Sequence, residues 1–227
     1  MWEIQMNPLN QKEALRYLGY GQNPPPENIM EMMRQCEQEL MSAIQPRFVY
    51  KIFDLEKNHQ NQSALVNCAL SLEGDSIQNH LQDCTKAMVL CVTISSQVDR
   101  LLRQTEIRDM TKAVIMDALA SVAVEQVCDT IEEKLAQEMK GWYFTWRFGV
   151  GYGDFPLALQ KQVVAVTDAA KRIGLHVNES YILTPRKSIT CVIGMSQEML
   201  GKKIRGCAVC NLKDSCGLRA KGSRCHW

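Results

Sequence analysis

The sequence predicts an α+β fold: a mainly antiparallel, twisted sheet with a long central helix and flanking helices, followed by a cysteine-rich C-terminal tail. Residues 87–94 form a continuous apolar run of strand length, which is typical of a strand buried on both faces. Residues 113–128 are apolar around most of a helical circumference, so this helix is expected in the interior. Residues 176–183 and 188–195 have strand composition and flank a four-residue turn, which predicts an antiparallel hairpin. A doubly wound sheet fits this order of elements less well.

The first half of the chain predicts a mixture of helices and strands. A helix that follows three consecutive prolines has one buried stripe of apolar side chains at helical spacing, formed by Ile29, Met33, Cys36, Leu40 and Ile44. β-Branched and aromatic residues mark the strands. In chain order, the expected elements are a helix at 10–18, a helix at 27–44, strands at 48–55 and 63–72, and a helix at 75–84.

The second half of the chain is dominated by a helical pattern from residue 97 to about residue 139, with Ser96 as the expected N-cap and a break near Glu106. Within it Asp117, Ser121 and Glu125 recur every four residues and therefore share one side of the helix. Carboxylates on a buried helix need partners. They either pair with arginines and cap neighbouring backbone, or form the polar wall of a ligand site. Further on, the expected elements are a strand at 142–150 and a helix at 157–172.

The amino-acid composition limits the classes of protein to which this chain can belong. The chain has 227 residues, a formal net charge of +1 and 46% hydrophobic residues, which allows a sizeable core. The small net charge argues against nucleic acid or a membrane surface as partner. There is no apolar run of about 18 residues and no apolar signal-peptide segment, so a cytoplasmic location is expected. The expected domain organisation is one domain at 1–200, with 1–95 as its N-terminal part, and a separate tail at 201–227.

The ten cysteines fall into two groups. Six are scattered through apolar patterns and are expected to pack in the core. The other four, Cys207, Cys210, Cys216 and Cys225, crowd the tail among lysines and arginines, which would offset thiolate charge. A C-x-x-C pair followed by two more thiols predicts an iron–sulfur cluster or a zinc ion held by these four cysteines. The alternative is a reduced tail in which the cysteines are incidental.

Residues 147–156 read RFGVGYGDFP and combine three glycines with an arginine and a tyrosine. Glycine permits close backbone approach, and arginine offers a planar fork for a carboxylate or phosphate, so the segment predicts a cradle for a small ligand with an anionic end. The glycine spacing matches neither a P-loop nor a dinucleotide-binding fingerprint. The alternative is structural: Arg147 pairs with Asp117 or Glu125, and the glycines merely turn the chain.

The same segment carries a resemblance to a known family. Arg147, Gly151, Tyr152 and Pro156 resemble the Arg-x-Ala-x-Gly-Tyr…Pro loop of the activation (reactivation) domain of cobalamin-dependent methionine synthase, which binds S-adenosylmethionine. Residues 178–190 resemble that family's Thr-Glu-Ser-Phe…Pro-x-x-Ser-Val-Ser segment, and the spacing between the two blocks agrees. The helix at 117–129 gives a third, weaker match. The resemblance covers roughly residues 115–196, and the whole chain looks like the stand-alone bacterial relatives of that domain.

Several positions depart from the family pattern, among them the aromatic strand and tyrosine after the hairpin, in whose place residues 191–195 read CVIGM. The alanine two residues after the arginine is Gly149 here, and the proline after the tyrosine is Gly153. A glutamate expected six residues before the arginine is Gly141, and the first ligand-associated helix glutamate is Ser121. Part of the adenosine contact must therefore differ.

The resemblance implies the fold of that domain, a ligand and a role. The ligand is S-adenosylmethionine, bound by Glu125, Arg147, Gly149, Gly151, Tyr152 and Ser188. The role is to support, in trans, the reductive methylation of cob(II)alamin in a cobalamin-dependent methionine synthase or another corrinoid protein, with an electron donor such as flavodoxin or ferredoxin. The cysteine tail is expected to relay the electron. No catalytic residue is assigned, and the chain is expected to be an activation component related to the synthase.

Two alternatives belong to other functional classes. One is a redox or metal-binding protein, with iron–sulfur or zinc in the tail and a purely structural glycine loop. The other is an interaction module that caps a corrinoid protein without binding S-adenosylmethionine.

Overall fold

The computed structural model describes residues 3–20, 23–58 and 62–201, over which helices and strands are interspersed. The helices are α1 (Gln11–Tyr17), α2 (Glu27–Ala43), α3 (Asp75–Leu81), α4 (Ser96–Arg108), α5 (Met110–Glu138), α6 (Gln160–Thr167) and α7 (Ala169–Ile173), with a 3₁₀ turn at Leu157–Leu159. The strands are β1 (Arg47–Lys57), β2 (Ser63–Leu65), β3 (Lys86–Thr93), β4 (Tyr143–Phe144), β5 (Phe148–Gly149), β6 (His176–Val177), β7 (Leu183–Thr184) and β8 (Ser188–Ser196).

The main sheet is built around β3 and β8. Its strand order is β2-β1-β3-β8-β4, with β5 pairing β8 beside β4, and every pair in the described residues is antiparallel. In the central register Leu90 of β3 lies opposite Cys191 of β8, and Gly149 of β5 lies opposite the same cysteine on the other side. The predicted α+β class with a mainly antiparallel sheet is confirmed.

The two faces of β3 are both buried, as its apolar run predicts. Met88 and Leu90 pack in the layer formed by α1, α2, α4 and α5. Ala87 and Val89, which alternate with them, pack in the layer formed by α3, α6 and α7. The sheet is therefore covered by helices on both sides.

The central helix α5 has 29 residues and is about 43 Å long at 1.5 Å per residue. Asp109, whose side chain accepts a hydrogen bond from the Lys112 N–H at 3.0 Å, caps its start and separates it from α4. The predicted break near Glu106 therefore lies three residues further on. The predicted cap at Ser96 is wrong, because Ser95 precedes α4 and makes no side-chain capping bond.

The predicted strand at 142–150 is wrong as a continuous strand. It is two short pieces, β4 and β5, because the Thr145 side chain interrupts the ladder: the Gly194 N–H donates to Thr145 Oγ1 at 2.7 Å. The Thr145 N–H still donates to the Gly194 carbonyl at 2.9 Å. The chain bulges at Trp146 and Arg147, and the Arg147 side chain reaches α5.

The predicted hairpin between 176–183 and 188–195 is also wrong. β6 pairs with β7 around a turn in which the Asn178 side chain accepts the Ile182 N–H at 2.9 Å, and β8 pairs with β3 instead. The predicted strand at 63–72 is only Ser63–Leu65. The predicted helix at 157–172 is interrupted at Asp168, which has left-handed backbone angles.

The scattered cysteines behave as core side chains. Cys36, Cys84, Cys91, Cys128 and Cys191 are buried and Cys68 is half-buried, and all six are free thiols. Burial raises the pKa of Cys36 to about 11 and that of Cys91 to about 12, so these thiols are inert at neutral pH. Burial also raises the pKa of Cys128 and Cys191 well above the ordinary value.

The described residues contain neither a clustered metal site nor a membrane-spanning helix. Within residues 3–20, 23–58 and 62–201, no group of three or more His, Cys, Asp or Glu side chains is arranged to hold a metal ion. In the same part of the chain, no helix is both long and apolar enough to cross a membrane. Cys207, Cys210, Cys216 and Cys225 lie outside the described residues.

Candidate functional site

The half-buried side of α5 carries Asp117, Ser121 and Glu125 on successive turns, and we call these three residues the polar wall. Lys187 closes one end of it. Its ammonium donates to the Asp117 carboxylate at 2.8 Å, to the Asp117 carbonyl at 3.0 Å and to Ser121 Oγ at 2.9 Å. The Lys187 side chain is only 11% exposed, so it is a fixed part of the wall.

Lys187 is held over α5 by its own turn, which joins β7 to β8. The Arg186 N–H donates to Asp99 Oδ2 at 2.8 Å, and the Lys187 carbonyl accepts the Ile94 N–H at 3.2 Å. Ser188, a predicted site residue, donates its hydroxyl to the Pro185 carbonyl at 2.7 Å and so stabilises the turn. Lys187 was not predicted as a site residue, because in the sequence it is only a lysine in a turn, far from the carboxylates of α5.

Arg147 lies at the other end of the polar wall and contacts three carboxylates of α5. Its Nη2 donates to Glu125 at 2.6 Å, and its Nη1 donates to Asp129 at 2.6 Å and to Glu132 at 2.5 Å. We call these four residues the acidic cluster. Burial acts to lower the pKa of Arg147, but Glu132 and Asp129 outweigh it and hold the pKa above the ordinary value. The arginine is therefore a permanent cation.

The purely structural alternative for Arg147 was an ion pair with either Asp117 or Glu125. The pair with Glu125 is present. The pair with Asp117 does not occur, because Asp117 pairs with Lys187. Asp129 and Glu132 were missed as partners, although they lie one and two turns beyond Glu125 on the same helix side.

The glycine loop at 147–156 is shaped by close contacts of its own residues. A Cβ atom at Gly149 would lie 2.7 and 2.8 Å from two ring atoms of Tyr152, so the tyrosine ring lies directly on this glycine. Gly151 has a φ of +90°, and a Cβ there would lie 2.9 Å from a Leu157 methyl group. Tyr152 is 56% exposed, so its ring is accessible beside the acidic cluster.

Asp154 ties the far end of the loop to the start of α3. Its carboxylate accepts the Asp75 N–H at 2.7 Å and the Ser76 N–H at 2.9 Å. Hydrogen bonds from Ser76 hold the pKa of Asp154 below its ordinary value, against the effect of its slight burial. The loop is thus fixed at Arg147 by α5 and at Asp154 by α3.

The predicted site residues of the described chain therefore converge. Arg147 contacts Glu125, the loop glycines and Tyr152 follow Arg147 directly, and Ser188 adjoins Lys187 at the other end of the wall.

A solved structure shares this architecture. The crystal structure of the MetH reactivation domain bound to AdoHcy matches with a TM-score of 0.62 over 96% of this chain and 82% of that chain, at 14% sequence identity. The chain has the fold of the MetH reactivation domain. No protein-family model matches the sequence, and no curated protein matches it either. The likeness to this reactivation domain therefore lies in the fold, and it confirms the fold that the three sequence motifs implied.

Proposed function

We propose that this chain binds S-adenosylmethionine along the polar wall and supports the reductive methylation of cob(II)alamin in a cobalamin-dependent methionine synthase or a related corrinoid protein. The observation that carries the proposal is the convergence of Arg147, Glu125, the glycine loop and the β7–β8 turn on one side of α5, in a fold shared with a reactivation domain that binds AdoHcy. Each of these segments carries one of the motifs that resemble the methionine synthase family.

The charges of the site suit this ligand. Among the described residues, four acidic side chains, Asp117, Glu125, Asp129 and Glu132, form ion pairs with two basic ones, Lys187 and Arg147. A site with excess negative charge attracts a ligand that carries an ammonium and a sulfonium. The ligand's single carboxylate needs one cation, and the Arg147 side chain is 23% exposed. We assign the carboxylate to Arg147 and the cationic groups to Glu125.

The ligand supplies an electrophilic methyl group on a sulfonium, and the chain's own residues bind and orient it. Arg147 and Glu125 fix the amino-acid end, and the exposed side chain of Tyr152, which lies on Gly149, is placed against the ligand. The acceptor of the methyl group would be the partner's cobalt once an external donor has reduced it by one electron, and S-adenosylhomocysteine would be the product that leaves the site. Holding the sulfonium in one orientation towards that cobalt is the contribution of this protein.

We expect S-adenosylmethionine to bind about tenfold more tightly than S-adenosylhomocysteine, because both carry an ammonium but only the former adds the positive charge of a sulfonium near Glu125. Isothermal titration calorimetry of the full chain measures both affinities. Glu125→Gln should lower the affinity for S-adenosylmethionine and remove most of this preference. Glu133→Gln, an exposed acidic residue of the same helix outside the site, is the matched control and should retain both. Absence of heat with either ligand would favour a structural acidic cluster.

The role in reactivation is tested with candidate partners. We expect labelled methyl groups to appear on cobalamin when the protein is mixed with a cob(II)alamin-loaded corrinoid protein, a reductant and methyl-labelled S-adenosylmethionine. Omission of the protein should abolish the label. Capture of the corrinoid protein without methyl transfer would favour an interaction module.

The cysteine tail, which lies outside the described residues, has a proposed role in the same reaction. Cys207, Cys210, Cys216 and Cys225 are four soft ligands, a set that suits an iron–sulfur cluster or zinc, and a cluster would relay the electron to the partner's cobalt. Anaerobically purified protein should contain iron and acid-labile sulfide, and Cys210→Ser should lose both. Cys68→Ser, at a half-buried thiol of the folded domain, serves as the control. Zinc without sulfide would replace the relay with a structural site.

A further inference from the structure

The short helix α3 contacts both ends of the segment 145–155, which carries Arg147 and the glycine loop. The first residues of α3 bind the Asp154 carboxylate, and Gly74 just before them lies so close that an added Cβ would be 2.6 Å from the Asp154 carbonyl oxygen. The last turn of α3 places His80, which is only 3% exposed, beside the start of the segment. One helix therefore brackets the loop, and His80 is its contact at the Arg147 end.

His80 contacts the residues on both sides of Arg147 in the sequence. A hydrogen bond of 2.8 Å joins His80 Nε2 and Thr145 Oγ1. The imidazole lies edge-on to the Trp146 ring, with the two centroids 4.7 Å apart, and its centroid is 5.1 Å from that of the Phe148 ring. Because one buried side chain contacts positions 145, 146 and 148, the backbone of Arg147 between them is fixed in place.

The Thr145 hydroxyl links this contact to the direction of the Arg147 side chain. It accepts the Gly194 N–H at 2.7 Å and donates to the Trp146 carbonyl at 3.1 Å. These two bonds belong to the bulge between β4 and β5, from which the Arg147 side chain reaches α5. His80 is a third hydrogen-bond partner of the same hydroxyl, so it stabilises the bulge.

The position of His80 is one that an apolar side chain could also fill. Its neighbours on α3, Ile77 and Leu81, are buried members of the core. A polar ring in such surroundings has a desolvation cost that an apolar side chain lacks, so the bond to Thr145 is what the histidine adds. We propose that His80 is a positioning residue which, through Thr145, holds the bulge that directs Arg147 to the carboxylate of the bound ligand. This rests on the proposed function, in which Arg147 binds that carboxylate.

The test compares two ligands that differ only at the carboxylate. Calorimetry of the full chain measures the affinities for S-adenosylmethionine and for decarboxylated S-adenosylmethionine, which keeps the ammonium, the sulfonium and the adenine. The wild type should prefer the former by about tenfold, because only it offers a carboxylate to Arg147. His80→Leu should weaken S-adenosylmethionine by about the same factor and leave the analogue unchanged, so that the preference disappears. Thr145→Val, which removes the hydroxyl and nearly keeps the shape, should abolish the preference as well.

A conservative variant separates positioning from packing. The glutamine of His80→Gln is long enough to place an amide nitrogen near the position of Nε2, so this variant should retain most of the preference. Thr167→Val is the matched control, because it removes a buried hydroxyl that bonds to the Val163 carbonyl within α6, and it should retain both affinities. A thermal melt of each variant sets a titration temperature at which the variant is folded. Should His80→Leu not fold, Thr145→Val decides by the same comparison.

The outcomes are distinct. Equal losses of both ligands in His80→Leu, an unchanged preference in that variant, or failure of His80→Gln to retain the preference would overturn the positioning role and leave the proposed function standing. Equal binding of the two ligands by the wild type would show that Arg147 does not hold the carboxylate, and the inference would fail. If the wild type binds neither ligand, the proposed function fails and the inference falls with it.

Discussion

Arg147→Ala should lower the free energy of unfolding by about 2 kcal/mol and weaken S-adenosylmethionine binding about 100-fold. The substitution leaves Glu125, Asp129 and Glu132 on one side of α5 without the cation that now contacts all three at 2.5–2.6 Å. Their mutual repulsion then acts against the native state, and Glu125 loses the contact that orients it. Urea unfolding at neutral pH measures the first effect and calorimetry the second.

The matched control is Arg172→Ala. Arg172 contacts Asp168 at 3.8 Å with both side chains half-exposed, so its loss should change stability by less than about 0.5 kcal/mol. Equal stabilities for the two alanine variants would show that the acidic cluster is not held together by Arg147.

Gly194→Ala should destabilise the protein by about 2–3 kcal/mol through overpacking. An added Cβ on this β8 residue would lie 2.9 Å from a Leu81 methyl group and 3.0 Å from the Thr145 methyl group, and closer still to Cys84 Sγ. All three neighbours are buried and leave no room for a shift. Urea unfolding measures the loss, and Gly201→Ala, where the added atom meets only open space, should be neutral.

A double variant identifies the cause. Cys84→Ala removes the nearest neighbour of the added methyl group, so Cys84→Ala with Gly194→Ala should be more stable than the sum of the single effects predicts. Additive losses would place the strain elsewhere in the sheet.

The sequence predicts the fold class and most elements because the apolar patterns are strong. The apolar run of β3 is typical of a strand buried on both faces, and the largely apolar circumference of α5 is typical of a buried helix. Both predictions are confirmed. The errors fall where a side chain competes with the backbone. Thr145 divides one predicted strand, and Asn178 closes a turn inside another, and neither effect has a periodic signature.

The candidate site could be predicted only in part for a similar reason. The spacing of Asp117, Ser121 and Glu125 places them on one side of a helix, and the motifs add Arg147 and Tyr152. Lys187 belongs to the same region only because the turn between β7 and β8 brings it there. The pattern of apolar and polar residues along one helix or strand does not indicate which distant helix or strand will pack beside it.

The helix α1 packs on α5, where the Asn10 N–H donates to the Gln126 side chain at 2.7 Å, and contacts of this kind determine when the site can form. The hydrogen bonds that join its parts span 22 residues between Glu125 and Arg147, 66 between Ser121 and Lys187, and 116 between Asn10 and Gln126. Such non-local closures carry an entropic cost and slow folding. A nascent chain that has not yet extended through β8 therefore carries α5 without Lys187. No short fragment of this chain contains all the parts of the site.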